Sequence, residues 1–186
     1  MAFCDYLLDT GIRGYNCNEP MVKGAEPEGL LINWDDIDWE ETTIQHDIAQ
    51  VTIELKCGGK KAYTITQNGK QPWNGTQQEM VEGAYQNTLT NTLQFAILKH
   101  DNITAEDIFA LSNGKFVALV QNKHGGTWQV FGIETGLYAS AMVRELYNDD
   151  TLSGWLATMV EEGATMSLFI EATDVENLKT ATSACS

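Results

Sequence analysis

Three histidines are the residues of this chain best suited to act as catalytic bases or zinc ligands. His46, His100 and His124 each stand alone in sequence, in segments whose polar neighbours predict turns or loops. A zinc site or an oriented catalytic base needs several such groups close together. The sequence therefore predicts no catalytic residue and no metal ligand, although folding could still gather the three side chains.

Carboxylates are concentrated in one short stretch, at Asp35, Asp36, Asp38, Glu40 and Glu41. The stretch resembles a calcium-binding loop only in charge, because it lacks the glycine and the twelve-residue ligand pattern of such loops. Calcium binding remains one interpretation. The other is a solvated acidic edge, with the interleaved Trp34 and Trp39 packed inward.

The remaining chemistry-bearing residues follow no enzyme pattern. Trp73, between Pro72 and Gly75, fits an exposed binding aromatic or a core residue. Glycine-rich phosphate-binding patterns and the nucleophile pattern G-x-S-x-G are missing from the sequence. We therefore expect a protein that is not an enzyme and has no cofactor.

Four cysteines, Cys4, Cys17, Cys57 and Cys185, have no C-x-x-C or other zinc spacing. The first residues contain neither a basic region nor a long apolar segment, so we expect no signal peptide and synthesis inside the cell. Free thiols are the expectation in that compartment.

Composition limits the possible partners of this chain. Its 186 residues carry a formal charge of −15, with only 11 Lys and Arg. Such acidity disfavours contacts with phosphates and is compatible with a surface past which DNA moves without sticking. No apolar run of about 18 residues is present, so we expect no membrane-spanning segment.

Alternating apolar residues and glycine turns predict a mainly β fold of antiparallel strands. One hairpin is expected from Val117–Val120 and Trp128–Phe131, around Gly125 and Gly126. A second is expected from residues 51–55 and 63–66, around Gly58 and Gly59. Further strands are expected at 76–85, 93–97, 139–146, 154–160 and 166–170, with a helix over 76–87 as the alternative for the first of these.

One helix is expected near residues 104–112, because Thr104 can cap its first turn and Asn113-Gly114 can end it. Residues 1–28 are rich in turn-forming residues and predict an N-terminal arm. Residues 171–186 are small and polar and predict a flexible C-terminal tail. The domain between them, 29–170, is expected to be a β-sandwich or barrel with this one flanking helix.

The order of these features resembles the tail structural proteins of bacteriophages and prophages, in particular the tail tube, or major tail protein, family. The matching features are the segment Thr10–Cys17, the Gly29–Asn33 strand, the capped helix before Phe116–Val120, Trp128–Gly132, and Gly154–Met159. The resemblance implies a non-enzymatic virion protein located in the tail and made in the host bacterial cytoplasm. It implies homo-hexameric rings that stack into a tube, other phage tail proteins as partners, and DNA that passes through unbound.

Three alternatives to the tube subunit remain. The chain departs from the tube family in its length and in the acidic segment near Trp39, which leaves a tail terminator, tail completion or head-to-tail connector protein as an alternative. A monomeric β-sandwich module could bind carbohydrate through Trp73 or Trp128. An acidic enzyme of unrecognised type is the third.

Overall fold

The computed structural model describes residues 24–67, 72–84, 86–98, 102–123, 126–145 and 154–180. In these residues it has eleven strands and two helices, in the order β1 (Ala25–Asn33), β2 (Thr43–Gln45), β3 (Gln50–Thr52), β4 (Tyr63–Thr66), β5 (Gln77–Val81), β6 (Thr88–Ile97), α1 (Asn102–Asn113), β7 (Lys115–Asn122), β8 (Trp128–Phe131), β9 (Leu137–Glu145), β10 (Gly154–Ala164), β11 (Leu168–Ile170) and α2 (Ala172–Lys179). A 3-10 turn, Trp34–Asp36, follows β1. Neither of these helices has the length and apolarity needed to span a membrane.

All eleven strands belong to one mixed sheet that is not closed into a barrel. Its first part has the order β4-β1-β7-β8-β11-β3-β2, and its second part has the order β9-β10-β6-β5. The two parts join where the start of β9 pairs with the start of β7. Only the pairing of β3 with β11 is parallel, so the prediction of a mainly β, largely antiparallel fold is confirmed.

The sheet folds over on itself, because side chains from both parts pack together between them. Phe116, Ala118 and Val120 of β7 meet Leu93 and Phe95 of β6 and Ala157 and Met159 of β10 in one cluster. Alternate residues of β6 and β10 point away from this cluster, as the period of two in a strand requires. The second part therefore has one buried face and one outer face.

The first part of the sheet is buried on both faces. Val117 and Leu119 of β7 point away from the first cluster and pack with Leu30 and Ile32 of β1. This second cluster also contains Val175 and Leu178 of α2, which cover that face. The residues Phe116–Val120 are buried without a break, as is typical of a strand with both faces covered.

The predicted hairpin at 117–131 is confirmed, since Ala118 pairs with Phe131 and Gln121 with Trp128. The predicted hairpin at 51–66 is wrong. Strand β3 pairs with β2 and β11, whereas β4 pairs with β1. Gly58 and Gly59 do adopt positive φ angles, but they lie in a longer connection, and a period of two does not determine which strand is the partner.

The strand interpretation of residues 76–97 is confirmed, with β5 and β6 forming an antiparallel pair from Gln77–Thr92 to Val81–Thr88. The return strand begins earlier than expected, at Thr88 instead of Leu93. The strands at 139–146 and 154–160 are confirmed as β9 and β10, which pair with each other. The helix expected at 104–112 is confirmed as α1, but it begins at Asn102, so Thr104 lies inside the helix and does not cap its first turn as expected.

Both ends of the predicted domain need correction. Strand β1 begins at Ala25, so the expected arm, 1–28, ends earlier than expected; residues 1–23 lie outside the described part. Pro27 is accommodated because the pairing of β1 with β7 is interrupted between Ala25 and Gly29. The expected flexible tail, 171–186, contains α2, because burial of Val175 and Leu178 stabilises a short helix that has little local signal.

Candidate functional site

His46 is the one predicted histidine within the described residues; His100 and His124 lie outside them. It occupies the turn between β2 and β3, where its Nε2 atom is 3.6 Å from Oε1 of Glu134. Its Nδ1 atom is 3.5 Å from Oγ1 of Thr165. A histidine, a carboxylate and a hydroxyl therefore meet at the surface, which sequence spacing could not predict.

This trio is not arranged as a nucleophile with its general base. The Thr165 hydroxyl donates its hydrogen bond to Glu134, and the Thr165 backbone N–H donates to the same carboxylate. A nucleophilic hydroxyl would have to donate to the histidine that removes its proton. The contacts instead connect the β2–β3 turn with the loops that precede β9 and β11.

Asp36 is the buried member of the acidic segment. Its carboxylate accepts hydrogen bonds from Lys60 Nζ at 2.6 Å and from Asn33 Nδ2 at 2.7 Å. Burial alone would raise the pKa of Asp36, but these hydrogen bonds and the charges of Lys60 and Lys56 outweigh it and hold the pKa below its usual range. The carboxylate best placed to hold a cation is thus already neutralised by lysine.

The rest of the acidic segment forms a surface. Trp34 and Trp39 lie against each other with ring centroids 4.3 Å apart, and Lys115 Nζ lies 3.9 Å from the Trp34 ring centroid. Trp39 remains 37% exposed, so it is not packed inward as expected. Within the described residues, no three His, Cys, Asp or Glu side chains are grouped so that they could hold a metal ion.

The two tryptophans considered as carbohydrate platforms are core residues. Trp73 is 5% exposed, packs edge-on against Phe95, and donates its indole N–H to the backbone oxygen of Glu26 at 2.8 Å. Trp128 is 6% exposed. Because a sugar stacks on an accessible ring face, neither residue can serve as that platform in this fold.

Cys57 is disulfide-bonded, so the expectation of free thiols is wrong for this residue. The other three cysteines lie outside the described residues. Sequence spacing did not suggest the bond, because disulfide partners are brought together by tertiary structure and not by a local motif.

Glu161 is a buried carboxylate that the sequence analysis did not identify. It lies in β10 with 1% exposure and accepts hydrogen bonds from the backbone N–H groups of Gly132, Glu134 and Thr135. Asn91 Nδ2 donates a further bond at 2.6 Å. The sequence signal that could have found it is the period of two in β10, which places Glu161 on the same inward side as Ala157 and Met159.

A polar network continues from Glu161 across the interior. Asn91 Oδ1 accepts a hydrogen bond from Gln78 Nε2 at 2.7 Å. Gln78 Oε1 in turn accepts hydrogen bonds from Gln129 Nε2 and from Ser167 Oγ. Gln78 belongs to β5, whereas Gln129 belongs to β8. Side chains thus connect the two parts of the sheet at this end, while the backbone edge of β5 has no strand partner besides β6 in the described part of the chain.

The second part of the sheet has an outer face, opposite the cluster that it shares with β7. Its strands β9, β10, β6 and β5 direct toward solvent the side chains of Tyr138, Ala141, Val143, Leu156, Thr158, Val160, Glu162, Thr90, Thr92, Gln94, Ala96, Gln77, Glu79 and Val81. Among the residues just named, the charged ones are the carboxylates Glu79 and Glu162. The face is therefore mostly uncharged, with no lysine or arginine among these outward residues.

Two features link neighbouring strands on this outer face. Gln94 Nε2 donates to Thr158 Oγ1 at 3.1 Å. Desolvation, together with the charge of Glu162 and a hydrogen bond to it, raises the pKa of Tyr138. These contacts link β6 with β10 and β10 with β9 on this face.

Comparison of this chain with protein-family models, with curated proteins and with solved structures finds no match.

Proposed function

We propose that this protein is a non-enzymatic structural subunit of a bacteriophage or prophage tail, similar to a tail tube protein. In this proposal copies of the chain join side by side into rings, with six copies per ring, and the rings stack to form a conduit for DNA. The subunit is made in the host bacterial cytoplasm and resides in the virion tail. Its partners are further copies of itself and other tail proteins.

The observation that carries the proposal is the pair of strand edges at opposite ends of the second part of the sheet. Strands β9, β10, β6 and β5 alternate in direction, because each neighbouring pair is antiparallel. Strand β5 therefore runs opposite to β9. A β5 edge of one copy can pair with the β9 edge of the next copy without breaking the antiparallel alternation.

Such a contact joins two different surfaces of the same molecule. Head-to-tail contacts of this kind close into rings when the rotation between copies is a whole fraction of a turn. Closure would also remove the strand edges that a single copy exposes. A ring is thus a stable end point for this sheet. In a single copy, β5 pairs only with β6 among the described strands, and β9 pairs with β7 only at Leu137 and Tyr138.

The strands are also staggered in the way that closure requires. Strand β10 pairs with both β9 and β6, and these two registers place β9 beside residues Thr92 to Ile97 of β6. Strand β5 pairs instead with residues Thr88 to Thr92 of β6. Closed sheets have strands tilted to the axis, and tilt requires such a shift along the strands. A neighbouring β9 placed beside β5 would continue the same shift around the ring.

The outer face of the second part would then line the channel. Among its outward side chains that the structure describes, the charged ones are Glu79 and Glu162, and a phosphate backbone binds to surfaces through Lys and Arg. The chain's formal charge of −15 also disfavours contacts with phosphates. DNA would pass such a wall without being retained.

A tail terminator or head-to-tail connector protein would use the same ring geometry and remains the second candidate within this class. The acidic segment, with its exposed Trp39 beside Trp34, lies outside the second part of the sheet and offers a surface for a different tail protein. The carbohydrate-binding candidate loses its basis, since Trp73 and Trp128 are buried.

The test is to measure the mass of purified protein across concentration and salt, with negative-stain images of the larger species. We expect rings at high concentration, and more of them as salt rises, because acidic copies repel one another and salt screens charges over about 10 Å near 0.1 M. A duplex DNA added to the rings should not be retained. A protein that stays monomeric under all these conditions would refute the proposal.

A further inference from the structure

We propose that Cys57 forms its disulfide bond with Cys185, and that this bond is a redox-controlled clamp between the β3–β4 connection and the chain that follows α2. Cys57 is disulfide-bonded, and the remaining cysteines of the sequence are Cys4, Cys17 and Cys185. The described contacts near each end of the chain favour one of these three partners. The inference goes beyond the proposed function and does not depend on ring assembly.

Cys57 lies near the C-terminal end of β1. The backbone N–H of Lys56 donates to the backbone oxygen of Asp36 at 2.9 Å, and Lys60 Nζ lies 2.6 Å from the Asp36 carboxylate. Asp36 belongs to the 3-10 turn that directly follows β1. The residues on both sides of Cys57 are thus held beside that end of the strand, and Cys57 itself is exposed.

The end of α2 is attached to the same connection. The backbone N–H of Ala62 donates to the backbone oxygen of Leu178 at 2.8 Å, and both residues are buried. Cys57 precedes Ala62 by five positions, and Cys185 follows Leu178 by seven. An extended chain spans about 3.3–3.6 Å per residue, so the two stretches can meet while every described element stays in place.

The N-terminal cysteines enter at the other end of β1. Gly24, just before the strand, accepts a hydrogen bond from the backbone N–H of Lys123. The nine residues of β1, at about 3.3 Å each, place Gly24 roughly 25–30 Å from the end where Cys57 lies. Cys17 precedes Gly24 by seven residues, which span about 23–25 Å when fully extended. Cys17 could therefore approach Cys57 only with its chain stretched along the whole strand, which disfavours that pairing.

Cys4 is disfavoured for a different reason. It precedes Gly24 by twenty residues, so chain length permits the pairing. The longer tether lowers the effective concentration of Cys4 at Cys57, and it also starts from the distant end of β1. Cys185 has the shorter tether and starts beside Ala62, so it is the partner that the described contacts favour.

Formation of the bond is a thiol–disulfide exchange. The thiols of Cys57 and Cys185 lose two protons and two electrons, and oxidised glutathione takes up both and becomes two thiols. In a reducing compartment the two cysteines are thiols, and the bond forms where such a disulfide oxidant is in excess. Because a helix as short as α2 is unstable by itself, the bond then adds to the contacts of Val175 and Leu178 that keep α2 on the sheet.

The direct test maps the bond in the full chain after treatment with oxidised glutathione. Free thiols are blocked, and the protein is digested with trypsin in the absence of reductant. Cleavage after Lys and Arg puts each cysteine on its own peptide, with the bounds 1–13, 14–23, 57–60 and 180–186. We expect mass spectrometry to find peptide 57–60 linked to peptide 180–186, in protein that migrates as a monomer on a non-reducing gel.

Three matched variants, Cys185→Ser, Cys17→Ser and Cys4→Ser, test the clamp. In the oxidised wild type, reductant should lower the midpoint of thermal unfolding by about 5–15 °C, the range expected for a bond that closes a long loop in a chain of this size. Cys185→Ser should unfold at the midpoint of the reduced wild type, with no further effect of reductant. Cys17→Ser and Cys4→Ser should respond to reductant as the wild type does.

Linkage of peptide 57–60 to 14–23 or to 1–13 would overturn the pairing, as would a covalent dimer on the gel or a full set of blocked thiols after oxidation. An unfolding midpoint that reductant does not change would overturn the clamp, even with the pairing confirmed. None of these outcomes concerns ring formation, so failure of this inference is distinguishable from failure of the proposed function.

Discussion

At the scale of residues, the described part of the chain buries two carboxylates, and it satisfies them in different ways. Asp36 is paired with the lysine Lys60, whereas Glu161 is surrounded by backbone N–H groups and Asn91. A buried charge is costly unless it is paired and hydrogen-bonded. Because the donors around both groups are already in place, both carboxylates stabilise the loops that they contact.

Replacing Glu161 with Gln should lower the free energy of unfolding by about 1–3 kcal/mol. The amide substitutes a donor for one acceptor oxygen, which leaves a backbone N–H of the 132–135 loop or the Asn91 amide without a partner. Urea unfolding measures the change. The control is Glu162→Gln, at the next position, which is exposed; it should change the free energy of unfolding by only a few tenths of a kcal/mol. Equal losses of stability in both variants would contradict this role of Glu161.

The contribution of Asp36 should depend on pH. Its pKa in the folded protein is below the ordinary value of 3.8, so the folded state favours the ionised form. The stabilisation is therefore fully present above about pH 4 to 5 and is lost as pH falls through the lower folded pKa. The difference in unfolding free energy between wild type and Asp36→Asn should shrink between pH 5 and about pH 2, and a difference that grows toward low pH would contradict the lowered pKa.

At the scale of elements, the structure depends on two segments with weak local signals. The loop 132–135 between β8 and β9 carries the chain from the first part of the sheet to the second, and Glu161 holds it from β10. Helix α2 covers the outer side of the first part and also accepts a hydrogen bond from Ala62 N at Leu178 O. Both segments are specified by contacts that are distant in sequence.

Helix α2 should therefore contribute to global stability. Leu178→Ala should lower the unfolding free energy by about 2–5 kcal/mol, since Leu178 is only 4% exposed and its truncation leaves a cavity. Asn177→Ala, at an exposed position of the same helix, is the matched control. If thermal unfolding of Leu178→Ala matched that of the control, the docking of α2 would be in doubt.

At the scale of the whole molecule, net charge and its placement have different consequences. The formal charge of −15 opposes association of any two copies. The outer face of the second part has two charged groups among its described side chains, Glu79 and Glu162. The position of these two carboxylates, more than the total charge, should then decide how a ring interacts with DNA.

Reversing charge on this face should make assembled rings retain DNA. The double variant Glu79→Lys with Glu162→Lys is expected to bind a short duplex at low salt and release it as salt rises. The control variant, Glu40→Lys with Asp47→Lys, makes the same change in net charge at exposed positions away from this face. Equal DNA retention by both double variants, measured on rings separated by size, would show that the face does not line the channel.

Local sequence was sufficient to predict the β7–β8 hairpin, the β5–β6 and β9–β10 pairs, and α1. In each case the partners are neighbours along the chain, so alternation and turn residues specify the contact. It was not sufficient for β3 and β4, whose partners β11 and β1 are distant in sequence. Trp73 likewise appeared as a loop residue, although its ring is enclosed beside Phe95.

The amino-acid sequence by itself determined the mainly β class, the acidic surface and the resemblance from which the tail-tube hypothesis came. These follow from residue types and short-range periodicity. Tertiary structure alone decided that Glu161 is buried, that Trp73 and Trp128 are not binding platforms, and that β9 and β5 are the first and last strands of the second part of the sheet. The physical reason is that burial and strand pairing depend on which distant segments meet, and no single segment of the chain carries that information.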